Sequence, residues 1–223
     1  MSSVSEPDFL RLTRAGYDRT AVGYAQRFHR HLDGKPVDQA ILASFAGLIR
    51  VGKYQRVADV GCGTGATTKI LSDHGVETVG VDLSPAMISE ARRLNPELAF
   101  EVGSMTGLGI ASDSLGGLCA WYSVIHVPDE SLPLVLREFH RVLAPGGHVL
   151  LAFQVGDAPL MLSEAFGRRV DLTFHRRHPD VVTALLADAG LPVYAQMVRR
   201  PDDDGLESTP QAYLIARKSC VEA

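Results

Sequence analysis

The sequence predicts an α/β fold with a doubly wound, mainly parallel sheet in a single domain. From residue 57 to residue 189, apolar runs of strand length alternate with stretches of helical spacing, a pattern typical of βαβ units with parallel strands. The first apolar run, 57–60, breaks directly into Gly61, Gly63 and Gly65. A glycine turn between a strand and a helix lets the backbone approach a ligand closely. The fold class and the ligand edge of the sheet are therefore predicted together.

The composition is typical of a water-soluble domain and argues against several classes of partner. The chain has 223 residues, 22% charged and 46% hydrophobic, and its formal net charge of -4 gives no general attraction to nucleic acid or anionic lipid. Residues 1–7 are polar, and no apolar run is long enough to span a bilayer. The three cysteines are scattered and form no metal-binding or disulfide pattern. We expect a cytoplasmic monomer or homodimer without a metal, membrane or nucleic-acid partner.

Two helices are predicted before the first strand, over residues 9–31 and 36–49. The first helix is amphipathic, with aromatic residues on one face and arginines on the others. We expect these helices to form a cap (residues 1–52) on the main domain (residues 53–223), with the first helix as a lid.

The alternation of strands and helices is predicted to be regular up to residue 155 and to change after it. Ser84 as N-cap and Pro85 in the first turn begin the helix after the second strand. Residues 156–178 have no clean period and concentrate arginine and histidine, so a loop with room for a short helix is predicted over the ligand edge. A helix over 179–189 should follow. Strands are predicted at 57–60, 77–81, 98–102, 115–122, 148–155, 193–198 and 212–216, the last two as an antiparallel edge hairpin.

The glycine turn fits two classes of ligand. Gly61, Gly63 and Ala66 satisfy the loose dinucleotide pattern G-x-G-x-x-G/A, and Asp82 lies at the distance expected for a ribose-binding acid. An NAD-dependent oxidoreductase would use this pattern. Asp59, two residues before the first glycine, should place a carboxylate beside the ligand, which would repel a pyrophosphate but attract a cation. The sequence therefore favours a cationic ligand.

The segment D-V-G-C-G-T-G at 59–65 resembles the first motif of class I S-adenosylmethionine-dependent methyltransferases, whose cofactor carries a sulfonium and an ammonium. The resemblance extends from Tyr17-Asp18 to the last strand. It implies a Rossmann-like, seven-stranded sheet of order 3-2-1-4-5-7-6 with strand seven antiparallel. It also implies S-adenosyl-L-methionine as cofactor and S-adenosyl-L-homocysteine as product.

The resemblance also implies which residues bind the cofactor. Asp82 would hold both ribose hydroxyls, which suits a carboxylate because it accepts two hydrogen bonds at once. Ser104 stands where relatives often have an acid, so its contact with adenine should be weaker. Tyr122 fits a core aromatic as well as a cofactor contact, and Arg27 fits a solvated surface arginine as well as a partner of the cofactor carboxylate. The implied set is Tyr17, Tyr24, Arg27, Asp59, Gly61, Cys62, Gly63, Asp82, Leu83, Ser104, Met105, Trp121 and Tyr122.

The methyl acceptor is less well defined by the sequence. His126 follows the fourth strand at the ligand edge and is the best candidate for a general base, since histidine titrates near neutral pH; a packing histidine that caps the next helix is the alternative. His175 and His178 are second candidates. Arginines in the first helix and in 168–177 suggest an acidic group on a small organic acceptor, methylated on oxygen, nitrogen or carbon. A non-catalytic S-adenosylmethionine-binding protein stays open.

Overall fold

A computed structural model of the protein describes residues 6–220, so the polar start at 1–5 and residues 221–223, which the proposed cap and main domain include, lie outside the described part. The helices are α1 (Asp8–Phe28), α2 (Pro36–Arg50), α3 (Ala66–Asp73), α4 (Pro85–Leu94), α5 (Leu132–Val142) and α6 (Pro179–Asp188). The strands are β1 (Arg56–Val60), β2 (Glu77–Asp82), β3 (Ala99–Val102), β4 (Leu115–Trp121), β5 (Leu143–Gln154), β6 (Leu160–Ala165), β7 (Arg168–Phe174), β8 (Val193–Arg199) and β9 (Gln211–Arg217).

Seven strands form one sheet in the order β3-β2-β1-β4-β5-β9-β8. The first five are parallel, and β9 is antiparallel to both β5 and β8. The predicted fold class and strand order are therefore confirmed. Parallel strands bring their carboxyl ends to one edge, where ligands of such sheets bind. Here that edge gathers the ends of β1, β2, β4 and β5.

Helices cover both faces of the sheet and fix the positions of the strand ends. On one face, Leu136 and Phe139 of α5 are fully buried against the strands. On the other face, Phe45 and Ile49 of α2 belong to the same apolar cluster as Trp121. Both faces of β4 are thus covered, as expected for a central parallel strand. No helix within residues 6–220 is long and apolar enough to cross a membrane.

The prediction of a loop at 156–178 is wrong, because β6 and β7 form an antiparallel hairpin there. Apolar residues alternate along β7 at Val170, Leu172 and Phe174, which is the period of a half-buried strand. The turn consists of Phe166 and Gly167, both with positive φ (50° and 68°), which is typical of a two-residue hairpin. The arginines on either side of this run, at 168–169 and 176–177, obscure the alternation in the sequence.

Helix α1 lies against the hairpin and α4. Glycines permit the close contact with the hairpin: a Cβ on Gly16 would come 2.7 Å from Leu172 Cδ2, and one on Gly23 would come 2.8 Å from Phe166 Cβ. Asp18 binds the start of α4, where its Oδ1 accepts from Ser84 Oγ at 2.5 Å. The helix therefore covers the ligand edge. Its mobility, and the division into cap and main domain, stay predictions.

Candidate active site

A cavity of about 520 Å³ lies at the carboxyl edge of the sheet, beneath α1 and the β6–β7 hairpin. The structure brings most of the predicted site residues together on its wall, although they come from distant parts of the chain. Those that line it are Tyr17, Tyr24, Gly61, Cys62, Gly63, Asp82, Leu83, Ser104, Met105, Trp121, Tyr122 and His126.

The glycine turn after β1 leaves no room for a side chain at its first position. Gly61 has a φ of +75°, and a Cβ there would come 2.2 Å from Ser123 Cβ. Ser123 in turn donates from Oγ to the Val60 carbonyl at 2.6 Å, which ties the end of β4 to the end of β1. Burial raises the pKa of the Cys62 thiol well above its usual value. Cys62 is thus a small turn residue and not an activated nucleophile.

Asp82 at the end of β2 is held in place by two backbone donors. Gly63 N–H donates to Oδ2 and Ser84 N–H donates to Oδ1, each at 2.8 Å. Each carboxylate oxygen keeps acceptor capacity for a hydroxyl, which suits a vicinal diol such as a ribose. Burial, with a smaller effect of the nearby Asp18, raises the pKa of Asp82 to about 6 in spite of these donors.

Two predicted cofactor residues do not line the cavity. Asp59 is fully buried, and its Oδ2 accepts from Thr68 Oγ1 at 2.6 Å. Burial raises the pKa of Asp59 to about 7. The side chain thus points from β1 toward α3 and not to the cavity wall, and a contact of Asp59 with the ligand stays a prediction. Arg27 is exposed, since α1 turns its Tyr24 and Phe28 face to the cavity.

Tyr17 and His126 form a hydrogen-bonded pair in the cavity, with 2.7 Å between Tyr17 Oη and His126 Nε2. His126 Nδ1 lies 3.0 Å from the Thr173 carbonyl of β7. A carbonyl only accepts, so Nδ1 carries the proton and Nε2 accepts from the tyrosine hydroxyl. Burial lowers the pKa of His126 to about 4. The imidazole is therefore neutral at neutral pH, and the expectation that it titrates there is wrong.

His126 bonds to β7 and does not cap α5, so the capping alternative also fails. The buried Nε2 lone pair, facing the cavity through the Tyr17 hydroxyl, is placed to accept a proton from a bound molecule. The pKa of Tyr17 itself is raised well above its usual value by burial and by the neighbouring Tyr24 and Asp82. Tyr17 thus stays protonated.

The hairpin supplies a largely apolar wall that the sequence did not predict. Phe166 of the hairpin turn packs against the aromatic face of α1, where Phe28 faces it edge-on at 6.0 Å. The rings of Tyr24 and Phe28 lie 4.9 Å apart on that face. Phe174 lies 4.8 Å from the His126 ring. The hairpin residues on the wall are Leu160, Leu162, Ala165, Phe166, Leu172 and Phe174.

Of the predicted basic rim, the part at 168–177 does not face the cavity, whereas Arg14 of α1 lines it. Arg168 and Arg169 are exposed on the hairpin, and His175 and His178 do not line the wall. Arg177 is buried in a structural role, where its guanidinium pairs with Asp129 at 2.8 Å and donates to two backbone carbonyls.

Apart from Asp82, the charged residues that line the cavity are paired with other side chains. Lys35 Nζ lies 2.5 Å from Asp202 and 2.6 Å from Asp204. Glu207 pairs with Arg199 at 2.6 Å. Arg14 pairs with Glu6. The cavity therefore presents little uncompensated charge to an acceptor.

The carboxyl edge described above is the part of the fold that a comparison with known proteins matches. Residues 57–147 match the methyltransferase domain family, a stretch that carries the glycine turn, Asp82 and His126. The chain contains a methyltransferase domain. The resemblance predicted from the sequence is confirmed, and the match favours a methyltransferase over an NAD-dependent oxidoreductase.

The methyltransferase domain is similar to curated proteins of several activities. A demethylmenaquinone methyltransferase of Beutenbergia cavernae is 36% identical over 100 residues, which cover 44% of this chain and 40% of that protein. A malonyl-acyl-carrier-protein O-methyltransferase of Enterobacter lignolyticus is 28% identical over 157 residues, 70% and 59% of the two chains. The chain thus spans about half the length of the curated relatives it matches.

The fold is also that of solved methyltransferase structures. Magnesium protoporphyrin IX methyltransferase from Synechocystis PCC 6803, with bound S-adenosylmethionine, superposes with a TM-score of 0.69 at 17% identity, covering 98% of this chain and all of the other. At this identity the likeness concerns the fold alone.

Two buried polar atoms on the wall of the methyltransferase domain have no partner within residues 6–220. These are Trp121 Nε1 at the end of β4 and Gln154 Oε1 at the end of β5. Buried polar groups are nearly always hydrogen-bonded, so unpaired ones in a cavity point to a ligand or ordered water. Tyr122, the residue after Trp121, has a strained φ of +53° and shares a hydrogen bond with Tyr213 (3.1 Å between hydroxyls). Tyr122 both lines the cavity and packs against the core.

Proposed function

We propose that the protein is an S-adenosylmethionine-dependent methyltransferase that methylates a hydroxyl group of a small, neutral and largely apolar organic acceptor. The observation that carries this proposal is one cavity that contains both the Gly61–Gly63 turn with Asp82 and the Tyr17–His126 pair. The first group of residues suits the cofactor, and the second suits the removal of a proton.

The residues present fit S-adenosylmethionine. The Gly61–Gly63 turn lines the cavity, where its glycines allow a ligand to approach the backbone closely, and Asp82 offers two carboxylate oxygens to the ribose hydroxyls. Leu83, Ser104 and Met105 follow β2 and β3 on the same wall, where the adenine would lie. The Synechocystis methyltransferase, which has the same fold, binds this cofactor.

S-adenosylmethionine supplies a methyl group that is already activated, so the protein mainly aligns the acceptor, excludes water and removes a proton. In the proposed reaction, a carbon–oxygen bond forms at the acceptor hydroxyl as the carbon–sulfur bond breaks. The hydroxyl proton passes to His126 Nε2, with the Tyr17 hydroxyl as relay. Tyr17 donates its proton to Nε2 and takes the acceptor's proton in its place, so it ends unchanged. The apolar hairpin keeps bulk water from the reacting atoms.

The side chains on the cavity wall indicate which kind of acceptor the site would bind. Aromatic and aliphatic side chains of α1 and the hairpin form most of the acceptor side, and the charged side chains at the cavity, apart from Asp82, are already paired. A charged acceptor would lose its hydration without finding a free partner. This favours a neutral acceptor over the acidic one expected from the arginine content.

Two measurements test the proposed function. Calorimetry with S-adenosylhomocysteine should give binding at a ratio of one to one, whereas NADH should not bind. A screen of small hydroxylated compounds with radiolabelled S-adenosylmethionine should then give a labelled product. Tight binding without transfer to any acceptor would favour a non-catalytic S-adenosylmethionine-binding protein, and NADH binding alone would favour the oxidoreductase.

A further inference from the structure

We propose that Gln154 selects the methyl acceptor, and that the acceptor is a hydroxylated ring with a second hydroxyl group, which the Gln154 amide binds. This inference rests on the proposed function and adds to it the residue that distinguishes one acceptor from another. Gln154 has no part in the cofactor motifs or in the Tyr17–His126 pair.

The Gln154 side chain is half-buried on the cavity wall and lacks a partner for its oxygen within residues 6–220. Its backbone carbonyl accepts from Arg177 N–H at 3.1 Å, which holds the end of β5 in place. An unpaired amide oxygen inside a cavity is costly, and a donor on a bound molecule removes that cost. The site therefore favours a ligand with a hydrogen-bond donor at this point.

The position of Gln154 in the sheet assigns it to the acceptor rather than to the cofactor. The strand order is β2-β1-β4-β5, with Asp82 at the end of β2 and Gln154 at the end of β5. Three strand spacings separate them, roughly 14 Å. A cofactor whose ribose binds Asp82 extends over β1 toward β4. Gln154 lies one strand further, on the side where the methyl group would be accepted.

The surroundings of Gln154 favour a neutral donor over a cation. Gln211, its register partner on β9, already donates from Nε2 to the Thr209 carbonyl at 2.6 Å. Glu207, a carboxylate on the same wall, is held by Arg199. An amide both accepts from and donates to a hydroxyl, so a hydroxyl matches Gln154 better than an ammonium or a carboxylate.

The aromatic side chains around the cavity favour a flat ring as the body of the acceptor. Tyr17 and Tyr24 lie edge to face at 6.0 Å, and Phe174 packs edge-on against His126. Aromatic walls stabilise ring ligands by offset and edge-to-face contacts. A ring with one hydroxyl at Tyr17–His126 and another at Gln154 would use two of the polar points on a largely apolar wall.

The test compares four simple probes that differ only in a second hydroxyl: phenol, catechol, resorcinol and hydroquinone. Their dissociation constants are measured by ligand-observed NMR, without oxygen, on protein saturated with S-adenosylhomocysteine. The variants are Gln154→Leu and, as a matched control, Gln196→Leu, which changes an exposed glutamine on β8. Thermal unfolding of both variants establishes that they fold.

In the wild type, at least one dihydroxybenzene should bind about fivefold more tightly than phenol, the effect of one added hydrogen bond. Gln154→Leu should bring that ratio to about one, and Gln196→Leu should leave it unchanged. A ratio near one in the wild type, a ratio that survives in Gln154→Leu, or no binding of any probe would overturn the inference. If S-adenosylhomocysteine itself does not bind, the proposed function fails first, which distinguishes the two failures.

Discussion

The two sides of the cavity are built in different ways. The cofactor side consists of short contiguous segments, the 61–65 turn and the 82–84 segment, whose backbone donors and glycines shape the site. The acceptor side consists of side chains brought together over long sequence separations, such as Tyr17 and His126, which lie 109 residues apart. The cofactor side thus depends mainly on the backbone of segments close in sequence, whereas the acceptor side depends on tertiary contacts between side chains. Substitutions on the two sides should therefore affect different measurements.

The largest effect is expected on the cofactor side. Asp82→Ala should weaken binding of S-adenosylhomocysteine by about 2 to 4 kcal/mol, the scale of losing hydrogen bonds to a buried charged group. Calorimetry measures this. Because the carboxylate also holds Gly63 and Ser84, Asp82→Asn serves as the milder variant. An unchanged affinity in Asp82→Ala would show that the ribose assignment is wrong.

On the acceptor side, His126→Ala should lower turnover about 100-fold, roughly 2.7 kcal/mol of transition-state stabilisation, while cofactor affinity stays nearly the same. The measurement is turnover with the best acceptor from the screen. In the wild type, the base is neutral above its pKa of about 4. With S-adenosylmethionine kept saturating at every pH, the rate should therefore be flat from pH 6 to 9 and fall only as the pH drops toward 4. Equal turnover in His126→Ala would leave alignment as the source of catalysis.

Alanine substitutions at two glycines test how closely α1 packs against the hairpin beside the cavity. Gly47→Ala in α2, where nothing lies within 4 Å of the new methyl group, should raise the free energy of unfolding by up to about 1 kcal/mol, since alanine favours helix. Gly23→Ala in α1 should gain nothing or lose about 1 kcal/mol, because the methyl group would lie 2.8 Å from Phe166 Cβ. Denaturant unfolding measures both. A similar gain at both positions would mean that the α1–hairpin contact is loose.

The same difference explains what the sequence could predict. The strand order and the glycine turn follow from local patterns, and α4 begins at Pro85 as its Ser84 cap predicts, with Met87 N–H donating to Ser84 Oγ at 3.1 Å. The burial of Asp59 away from the cavity wall is not predictable in this way, because the sequence does not show where the side chain of the strand's penultimate residue points. Thr68, its hydrogen-bond partner, lies on the next helix.

The acceptor side was harder to predict because its residues acquire their roles from tertiary contacts. The lowered pKa of His126 comes from burial under α1 and β7, which no neighbouring residue in the sequence indicates. Gln154 lies on the cavity wall at the end of β5, where it pairs in register with Gln211 of β9. This position depends on the tertiary pairing of strands, which the sequence around Gln154 does not show. The β6–β7 hairpin was detectable from Phe166-Gly167 and from the alternation of Val170, Leu172 and Phe174, but the arginines on either side of this run favoured a loop.

The pH dependence of cofactor binding tests the central claim, that Asp82 holds the ribose of S-adenosylmethionine, most directly. In the free protein the pKa of Asp82 is about 6, and binding requires the ionised carboxylate. Affinity for S-adenosylhomocysteine should therefore be full above pH 7 and fall as the pH drops through 6, becoming about tenfold weaker at pH 5 than at pH 7.5, or roughly 1.4 kcal/mol. Asp82→Asn should bind more weakly and lose this dependence. An affinity that is independent of pH in the wild type, or a dependence that persists in Asp82→Asn, would contradict the account.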